Sequence, residues 1–310
     1  MNSASKQQPN ARTATLGVIG HPVGHSLSPL LHNTLLWRLR LDACYHAFDV
    51  EPAQLPRAVE GAAALGFLGL NVTVPHKQGV FRLCDELSDE ARILKAVNTL
   101  FFRPDGTIFG ANTDPYGFRR ALTEFLPNLQ AFTALVLGAG GAARSVLLAL
   151  SELGATTVWI ANRTLSRAQR LATELAPQLP GPITLRPIGL EPRELESALK
   201  SSSLVVNATS VGMSPNTNGT PLPEGVSLRP GTAVVDLIYN PFETRLLRQA
   251  REAGCKVENG LNMLIFQAVA SLEIWFGRRL DFDADVFAEL RNILVSALGK
   301  TLERSRPVSS

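Results

Sequence analysis

Short apolar runs alternate with segments of helical periodicity along the first third of the chain. The runs predict strands because they are rich in branched aliphatic residues and are followed by turn-forming residues. Between them, apolar residues recur at the spacing that lines one face of a helix. The predicted strands are Leu16–Ile19, Ala43–Val50 and Leu68–Val74, and the predicted helices are Pro29–Arg38, Pro52–Leu65 and Lys77–Leu83.

The first predicted helix has a defined start. Pro29 suits the first helical turn, where its missing N–H group has no partner to lose, and Ser28 is the predicted N-cap. Farther along, Thr99–Phe102 and Thr107–Gly110 predict a hairpin that turns at Gly106. This succession of strands and helices favours a mainly parallel sheet covered by helices.

A second series of the same kind begins at Asp114 and indicates a separate nucleotide-binding domain over residues 114–259. Two further helices follow it, both predicted to be amphipathic, and the pattern leaves open which domain they cover. The predicted strands are Ala134–Leu137, Thr157–Ala161, Leu204–Asn207 and Ala233–Leu237, and the predicted helices are Asp114–Leu126, Ala142–Leu153, Leu165–Leu175, Leu264–Trp275 and Ala284–Leu298.

The length of the chain indicates two domains, and its charge gives no sign of nucleic-acid binding. A chain of 310 residues exceeds the usual size of one hydrophobic core, so two domains are expected. The formal net charge of +3 comes from the two ends, where Lys6, Arg12, Lys300, Arg304 and Arg306 outnumber Glu303. No basic stripe with interleaved aromatic residues remains between them, so nucleic acid is not an expected partner.

The cysteines, the apolar runs and the histidines argue against a secreted protein, a membrane protein and a metalloprotein. Cys44, Cys84 and Cys255 are widely spaced and odd in number, which indicates free thiols in a reducing, cytoplasmic compartment. No uncharged apolar run reaches the length of a membrane span, and the N-terminus lacks the apolar core of a secretory signal. The five histidines form no metal-binding motif, so no metal is expected.

A glycine-rich turn after the strand Ala134–Leu137 fits the dinucleotide-binding pattern, because it lies between a strand and a helix. Gly138 permits the tight turn, Gly140 lets backbone approach a pyrophosphate, and Ala143 keeps the helix close to the strand. The phosphates would lie at the N-terminus of the helix. The alternative is an ordinary tight turn that binds no ligand.

The end of the next strand decides between the two nicotinamide cofactors. NAD sites usually carry a carboxylate here, whereas this chain has Asn162, Arg163 and Thr164, with Arg167 one turn later. Guanidinium groups bind phosphate, so the segment favours the 2′-phosphate of NADP. The alternative is a pair of solvated arginines at a helix start, which the helix dipole disfavours.

Three polar segments follow predicted strands of the first unit. They contain Ser26 and Ser28, then Thr73 and Lys77, and finally Asp114. Ligands of open α/β sheets bind outside the carboxyl ends of strands, so we expect these segments to meet at a cleft that faces the second domain. A lysine and an aspartate there suit alcohol–ketone chemistry, in which Lys77 moves the proton. Taken singly, Lys77 is an ordinary solvated lysine and Asp114 an ordinary N-cap.

Taken together and in this order, the motifs resemble those of the shikimate dehydrogenases, over a span from about Leu16 to about Leu280. The motifs that carry the resemblance are His25–Pro29, Asn71–Lys77, Ala96–Thr99, Asn112–Asp114, Gly138–Arg144, Asn162–Thr164, Asn207–Ser210, Asp236–Tyr239 and Gly260–Gln267.

The resemblance implies an α/β fold with a substrate-binding domain, formed by residues 1–113 and 260–310, and a doubly wound Rossmann-type NADP domain of residues 114–259, with a cleft between them. Lys77 would be the catalytic acid and base, paired with Asp114. The implied substrate-binding residues are Ser26, Ser28, Thr73, Asn98, Asp114, Tyr239 and Gln267. The implied cofactor contacts are Gly138, Ala139, Gly140, Gly141, Ala142, Asn162, Arg163, Thr164, Arg167, Leu237 and Gly260.

The implied activity is NADPH-dependent, reversible reduction of 3-dehydroshikimate to shikimate in aromatic amino-acid biosynthesis, by a monomer or homodimer. One alternative is a quinate/shikimate dehydrogenase with relaxed cofactor use. Another is a non-catalytic NADP-binding sensor, which could have lost the acid/base pair; the presence of Lys77 and Asp114 argues against it.

Overall fold

The computed structural model of the protein describes residues 8–304, with side chains described as far as Gly299. Among the terminal charged residues named above, only Arg12 has a side chain within the described part. The chain forms two compact units. The first unit runs to Thr113 and resumes over Gln267–Ala297, and the second unit is built on Asp114–Phe266. The predicted domains change at 113/114 and at 259/260.

The first unit contains a mixed sheet of six strands in the order β2-β1-β3-β5-β6-β4. Neighbours β1–β2, β1–β3 and β4–β6 are parallel, whereas β3–β5 and β5–β6 are antiparallel, as the predicted hairpin requires. The strands are β1 (Ala14–Gly20), β2 (Ala43–Asp49), β3 (Gly69–Val72), β4 (Glu86–Leu87), β5 (Thr99–Phe102) and β6 (Ile108–Ala111). The helices are α1 (Ser28–Arg38), α2 (Leu55–Ala64, after a 3-10 turn at Pro52–Gln54), α3 (Lys77–Phe81) and α4 (Asp89–Leu94).

The second unit contains an all-parallel sheet in the order β12-β11-β10-β7-β8-β9. Strands β8 and β9 follow β7 toward one edge of the sheet, whereas β10, β11 and β12 lie on its other side. The junction between β7 and β10 is therefore the switch point of a doubly wound, Rossmann-type fold. The strands are β7 (Thr133–Leu137), β8 (Thr157–Ala161), β9 (Thr184–Ile188), β10 (Leu204–Asn207), β11 (Ala233–Asp236) and β12 (Lys256–Glu258). The helices are α5 (Asp114–Phe125), α6 (Gly141–Glu152), α7 (Leu165–Leu175, followed by a 3-10 turn at Ala176–Gln178), α8 (Pro192–Ser201) and α9 (Arg245–Glu252).

Each unit has its own hydrophobic core, which lies between its sheet and its helices. Val72, Val80 and Leu100 belong to the core of the first unit, and Leu135 and Val205 to that of the second. Each of these five side chains is almost completely buried. The predicted fold class of two α/β units, the second of Rossmann type, is therefore confirmed.

The last two helices are α10 (Leu261–Phe276) and α11 (Ala284–Arg304). We predicted an amphipathic helix for the first of them, and this is wrong. The consecutive residues Ile265–Val269 are all buried, so no solvent-facing stripe exists there. Trp275 anchors the end of α10, because its indole Nε1 donates to the carbonyl of Leu100 at 2.7 Å. A side chain at Gly69 would collide with this indole ring.

The predicted cap of α1 is also wrong. Leu27 stands at the N-cap position, and Ser28 is the first helical residue. The hydroxyl of Ser26 accepts the N–H group of Ser28 at 3.2 Å, so the serine two residues earlier binds this amide.

Six short elements went unpredicted: β4, α4, β9, α8, α9 and β12. Strand β9 lies at an edge of its sheet and contains Arg186 and Pro187, so no apolar run marks it. Strand β12 lies at the opposite edge and has only three residues. Within the described residues, no helix is both long and apolar enough to cross a membrane.

Candidate active site

The parallel strands β1, β2 and β3 end at one edge of the first sheet, and the chain turns there into its polar segments. Thr73 follows β3, and its N–H group donates to the carbonyl of Ile19 on β1 at 2.9 Å. Val50 follows β2 and donates to Gly20 at 3.0 Å. The side chain of Thr73 lies against Gly20, where any added carbon would collide with it. The half-buried Thr73 is therefore held at the carboxyl edge of the sheet.

Lys77 is the first residue of α3, and two hydrogen bonds hold this end of the helix. The buried ring of His76 places Nε2 2.6 Å from the carbonyl of Val50, which ties the start of α3 to the end of β2. The carbonyl of Lys77 accepts the N–H group of Val97 at 2.9 Å. Lys77 is half-buried, and its backbone is linked to the residue that precedes Asn98.

Asn98 joins the start of β5 to the end of β6. Its side-chain oxygen accepts the N–H group of Thr113 at 2.9 Å and the hydroxyl of Thr99 at 2.9 Å. Its amide nitrogen donates to the hydroxyl of Thr113 at 3.0 Å. The amide oxygen faces the two donors and the amide nitrogen faces the hydroxyl of Thr113, so the orientation of Asn98 is determined by its surroundings.

Asp114 follows Thr113 directly and is the first residue of α5. Its carboxylate lies in the first helical turn, where the free N–H groups and the dipole favour negative charge. Thr113 is bonded to Asn98 through both its backbone N–H group and its side chain, so the residue that precedes Asp114 is held beside Asn98. The carbonyl of Lys77 accepts from Val97, the residue before the same asparagine.

The serine pair lies at the start of α1, next to a buried tyrosine. Ser26 and Ser28 are half-buried, and the phenol of Tyr45 forms a hydrogen bond with the side chain of Ser28. Burial raises the pKa of Tyr45 well above its usual value, although the bond to Ser28 acts in the opposite direction. Tyr45 therefore remains a neutral phenol and a hydrogen-bonding neighbour of Ser28.

Gln267 is the remaining candidate of the first unit. It lies on α10, is almost fully buried, and has its side-chain oxygen 3.5 Å from the hydroxyl of Thr113. The structure thus brings Asn98, Thr113 and Gln267 together. Tyr239 belongs to the second unit, where burial raises the pKa of its phenol.

Sequence reasoning assigned no role to a group of buried polar residues behind these candidates, formed by Tyr45, Asn71, Thr99 and Ser271. Asn71 carried a usable signal, because an amide in the middle of an apolar strand needs internal partners. Ser271 gave no such signal, since a small hydroxyl on an apolar helix is unremarkable in sequence.

The glycine-rich turn of the second unit has the geometry that the sequence predicted. Gly138 has a φ of +109°, which disfavours any other residue, and a side chain there would approach Thr209 to 2.8 Å. Nothing lies within 4 Å of a carbon placed on Gly140 or Gly141. The turn therefore leaves open space at the N-terminus of α6, as the approach of a pyrophosphate requires. Ala139 and Ala142 lie in the same turn.

The loop after β8 presents two arginines. Arg163 and Arg167 are exposed, and among the described residues neither guanidinium pairs with a carboxylate. The side chain of Asn162 donates to the carbonyl of Thr164 at 2.9 Å, which shapes the loop at the N-cap of α7. Two cations at the positive end of a helix fit an anionic group such as the 2′-phosphate of NADP.

Leu237 and Gly260 are in contact on the other side of the switch point. A side chain on Gly260 would collide with the carbonyl of Leu237, so only glycine fits there. Asp236, which precedes Leu237, is completely buried and accepts from Asn207 at 2.9 Å, from Thr244 at 2.7 Å and from the N–H group of Ile238 at 3.1 Å. Burial raises the pKa of Asp236 to about 6, against these hydrogen bonds, which lower it.

Within the part of the chain that the structure describes, no group of three or more metal-ligating side chains comes together. The first unit offers Lys77, and the second begins at Asp114 and offers open space at a helix N-terminus and exposed cations. The second unit can bind a nucleotide, and Lys77 of the first can exchange a proton with a substrate.

Three segments of the chain match protein-family models. Residues 18–100 match the shikimate dehydrogenase substrate binding domain, residues 120–215 match shikimate/quinate 5-dehydrogenase, and residues 260–285 match the shikimate 5′-dehydrogenase C-terminal domain.

Individual proteins resemble the chain along most of its length. The NADP(+) shikimate dehydrogenase of Methanopyrus kandleri is 47% identical over 86% of this chain and 92% of its own length. A crystal structure of a shikimate dehydrogenase with NADP+ has a TM-score of 0.85 and 36% identity, covering 94% of this chain and 98% of that one. Quinate dehydrogenase from Corynebacterium glutamicum with NAD has a TM-score of 0.81 and 34% identity, covering 92% and 99%.

Proposed function

The chain belongs to the shikimate dehydrogenase family, an oxidoreductase family, and from this premise we propose that it reduces 3-dehydroshikimate to shikimate with NADPH. The reaction is reversible and is a step of aromatic amino-acid biosynthesis. The observation that carries the proposal is that Lys77 is bonded to Val97 and that Thr113, the residue before Asp114, is bonded to the adjacent Asn98, in a chain of this family.

Lys77 acts as the acid in the reduction and as the base in the reverse direction. NADPH, when bound, supplies a hydride to the carbonyl carbon of the substrate. The ammonium of Lys77 gives a proton to the carbonyl oxygen, which becomes the hydroxyl of shikimate, and solvent then restores the proton. Asp114 accepts a hydrogen bond from a substrate hydroxyl.

The remaining polar candidates hold the substrate. The hydroxyls of Ser26 and Ser28 bind its carboxylate, and their place at the start of α1 supports this role, because N–H groups and the helix dipole favour an anion there. Thr73, Asn98, Tyr239 and Gln267 bind the ring hydroxyls. A buried or half-buried setting strengthens each of these hydrogen bonds.

The cofactor is bound by the glycine-rich turn, which leaves room beside its backbone, and by cationic side chains of the second unit. The turn Gly138–Ala142 receives the pyrophosphate, and the loop of Asn162, Arg163, Thr164 and Arg167 receives the 2′-phosphate. Leu237 and Gly260 lie at the nicotinamide end. The lack of a carboxylate in the loop after β8 supports NADP over NAD, because a carboxylate there would repel the phosphate.

The second candidate function is a quinate/shikimate dehydrogenase with relaxed cofactor use. The similarity to a quinate dehydrogenase solved with NAD favours it. Arg163, Arg167 and the serine pair favour shikimate with NADP. A non-catalytic NADP-binding sensor is disfavoured, because Lys77 and Asp114 are both retained.

An absorbance assay of nicotinamide reduction with four combinations separates these functions: shikimate or quinate, each with NADP+ or NAD+. We expect the highest kcat/KM with shikimate and NADP+. A preference for quinate with NAD+ would replace the first function by the second. Binding of NADP+ without turnover of either substrate would indicate the sensor.

We also propose that the protein acts in the cytoplasm, as a monomer or homodimer. The three cysteines are all unpaired, which suits a reducing compartment. Light scattering on the purified full-length chain would measure the oligomeric state, and a larger assembly would contradict this part of the proposal.

A further inference from the structure

Two buried hydroxyl groups lie behind the candidate site of the first unit. Thr99 is on β5, next to Asn98, and Ser271 is on α10, one turn after Gln267. Both residues are completely buried, and their hydroxyl oxygens are 2.9 Å apart. A strand and a helix that are 172 residues apart in sequence are thereby joined by one hydrogen bond.

The hydroxyl of Ser271 contacts several elements that carry candidate residues. Asn71, two residues before Thr73, donates its amide N–H to Ser271 at 3.0 Å. The hydroxyl of Thr113, the neighbour of Asp114, lies 3.3 Å away. Ser271 also donates to the carbonyl of Gln267 at 3.0 Å within its own helix. One oxygen atom therefore connects β3, α10 and Thr113, the residue before α5.

The donors and acceptors can be ordered into a chain that ends at the site. Tyr45 donates to the oxygen of Asn71 at 2.8 Å, and the amide of Asn71 donates to Ser271. The same amide donates to the hydroxyl of Thr99 at 3.2 Å, and Thr99, which also contacts Ser271, donates to the side-chain oxygen of Asn98 at 2.9 Å. In this order every group both donates and accepts, so the orientation of Asn98 depends on bonds that begin beside Ser28.

We propose that the hydroxyl pair of Thr99 and Ser271 is a positioning device for the reaction. It fixes the amide of Asn98 and the hydroxyl of Thr113, the residue before Asp114, relative to the segment of Lys77. Neither hydroxyl is assigned to the substrate or the cofactor. The inference rests on the proposed function, because it concerns the same proton transfer.

Removal of one hydroxyl acts on geometry rather than on packing alone. Without the Thr99 hydroxyl, the oxygen of Asn98 loses one of its two 2.9 Å donors and keeps only the Thr113 N–H group at that distance. A displacement of about 1 Å at a catalytic group can lower turnover by about 100-fold. If the hydroxyl served stability alone, its removal would leave buried polar groups without a hydrogen bond and lower the free energy of unfolding.

The test uses Thr99→Val, which keeps the shape and removes the hydroxyl, beside Thr99→Ser, which keeps the hydroxyl. Ser271→Ala removes the second hydroxyl. Ser151→Ala is the matched control, because Ser151 is a buried helical serine whose hydroxyl donates to the carbonyl of Leu148 in its own helix. Each full-length variant is assayed with shikimate and NADP+, and its NADP+ affinity and melting temperature are measured separately.

We expect Thr99→Val and Ser271→Ala to lower kcat by about 10-fold to 100-fold, with NADP+ affinity unchanged. Thr99→Ser and Ser151→Ala are expected to keep kcat close to that of the wild type. The pH dependence of kcat in Thr99→Val should also shift, because the groups that hold the substrate for proton transfer are displaced. A merely structural role would lower the melting temperature and leave the kcat of the folded enzyme and its pH dependence unchanged.

Two failures are distinguishable. If the wild type does not oxidise shikimate with NADP+, the proposed function fails. If the wild type is active and a folded Thr99→Val retains its kcat, this inference is overturned. Should Thr99→Val not fold, Ser271→Ala decides in the same way: a wild-type kcat overturns the inference, and a reduced kcat at unchanged NADP+ affinity supports it.

Discussion

The two units carry their functional residues by different physical means. In the first unit, Asn98 and Thr113 are oriented by hydrogen bonds among buried polar side chains. In the second, Gly138 and Gly140 leave space, and Arg163 is exposed. A site that moves a proton needs fixed atoms, whereas a phosphate site needs room, N–H groups and positive charge. The substitutions below should therefore separate turnover, cofactor affinity and stability.

The largest effect is expected from Lys77→Ala, which removes the proposed acid and base. Turnover of shikimate should fall by about 10²-fold to 10⁴-fold, the range that acid–base catalysis supplies. NADP+ affinity should not change, because the cofactor candidates lie in the other unit. Steady-state kinetics and calorimetric titration with NADP+ measure the two quantities.

The exposed Lys200, on α8, gives a matched control for Lys77. Lys200→Ala should retain wild-type turnover. A Lys77→Ala enzyme with near-normal kcat would remove the catalytic role from this lysine.

Asp236→Asn tests a buried carboxylate network of the second unit. Burial raises the pKa of Asp236 to about 6, whereas the unfolded carboxyl keeps a value near about 4. The folded protein therefore holds this proton more tightly, and unfolding releases it between about pH 4 and pH 6. The free energy of unfolding should fall by about 3 kcal/mol as the pH rises through this range and then level off.

The amide that replaces this carboxyl group in the variant cannot titrate, so its contribution to the pH dependence should disappear. Urea unfolding of both proteins between about pH 4 and pH 7 measures how each free energy of unfolding changes with pH. Equal slopes would show that Asp236 is not the group responsible.

Arg163→Ala tests recognition of the 2′-phosphate. One hydrogen bond to a charged group contributes about 1.5–3 kcal/mol, which corresponds to roughly 10-fold to 100-fold in Kd. NADP+ affinity should fall by this factor, while NAD+ affinity changes little. Titrations with both cofactors measure it.

Arg170, exposed and one turn beyond Arg167 on α7, supplies the control for this cation. Arg170→Ala should leave both affinities unchanged. If Arg163→Ala weakens NADP+ and NAD+ equally, the arginine does not read the phosphate.

The smallest effect concerns the glycine turn, where one substitution should lower stability and the other should weaken NADP+ binding. Gly138→Ala forces a side chain into a left-handed conformation and against Thr209, so we expect a loss of about 1–2 kcal/mol in stability. Gly140→Ala meets no neighbouring atom, so stability should be retained while NADP+ binding weakens. Thermal unfolding and NADP+ titration separate the two outcomes. Equal destabilisation would contradict the proposed division of roles.

The contrast between the two units also explains which parts of the structure could be predicted from the sequence. The glycine turn and the strands around it are local patterns, and β8, α7 and β10 were predicted with the bounds that the structure has. The network of Asn71, Thr99 and Ser271 joins distant segments through single atoms, so no local pattern could predict it. The N-cap of α1 was mispredicted for a similar reason: Leu27 takes that position, and the hydroxyl of Ser26 binds the amide of Ser28.

The most direct test of the account is chemical rescue of Lys77→Ala by small primary amines. If Lys77 moves the proton, added methylamine or ethylamine should raise the turnover of shikimate with NADP+, and the rate should depend on the pKa of the amine. The wild type should not respond. A variant that binds shikimate and NADP+ but shows no rescue by any amine of the series would contradict the account.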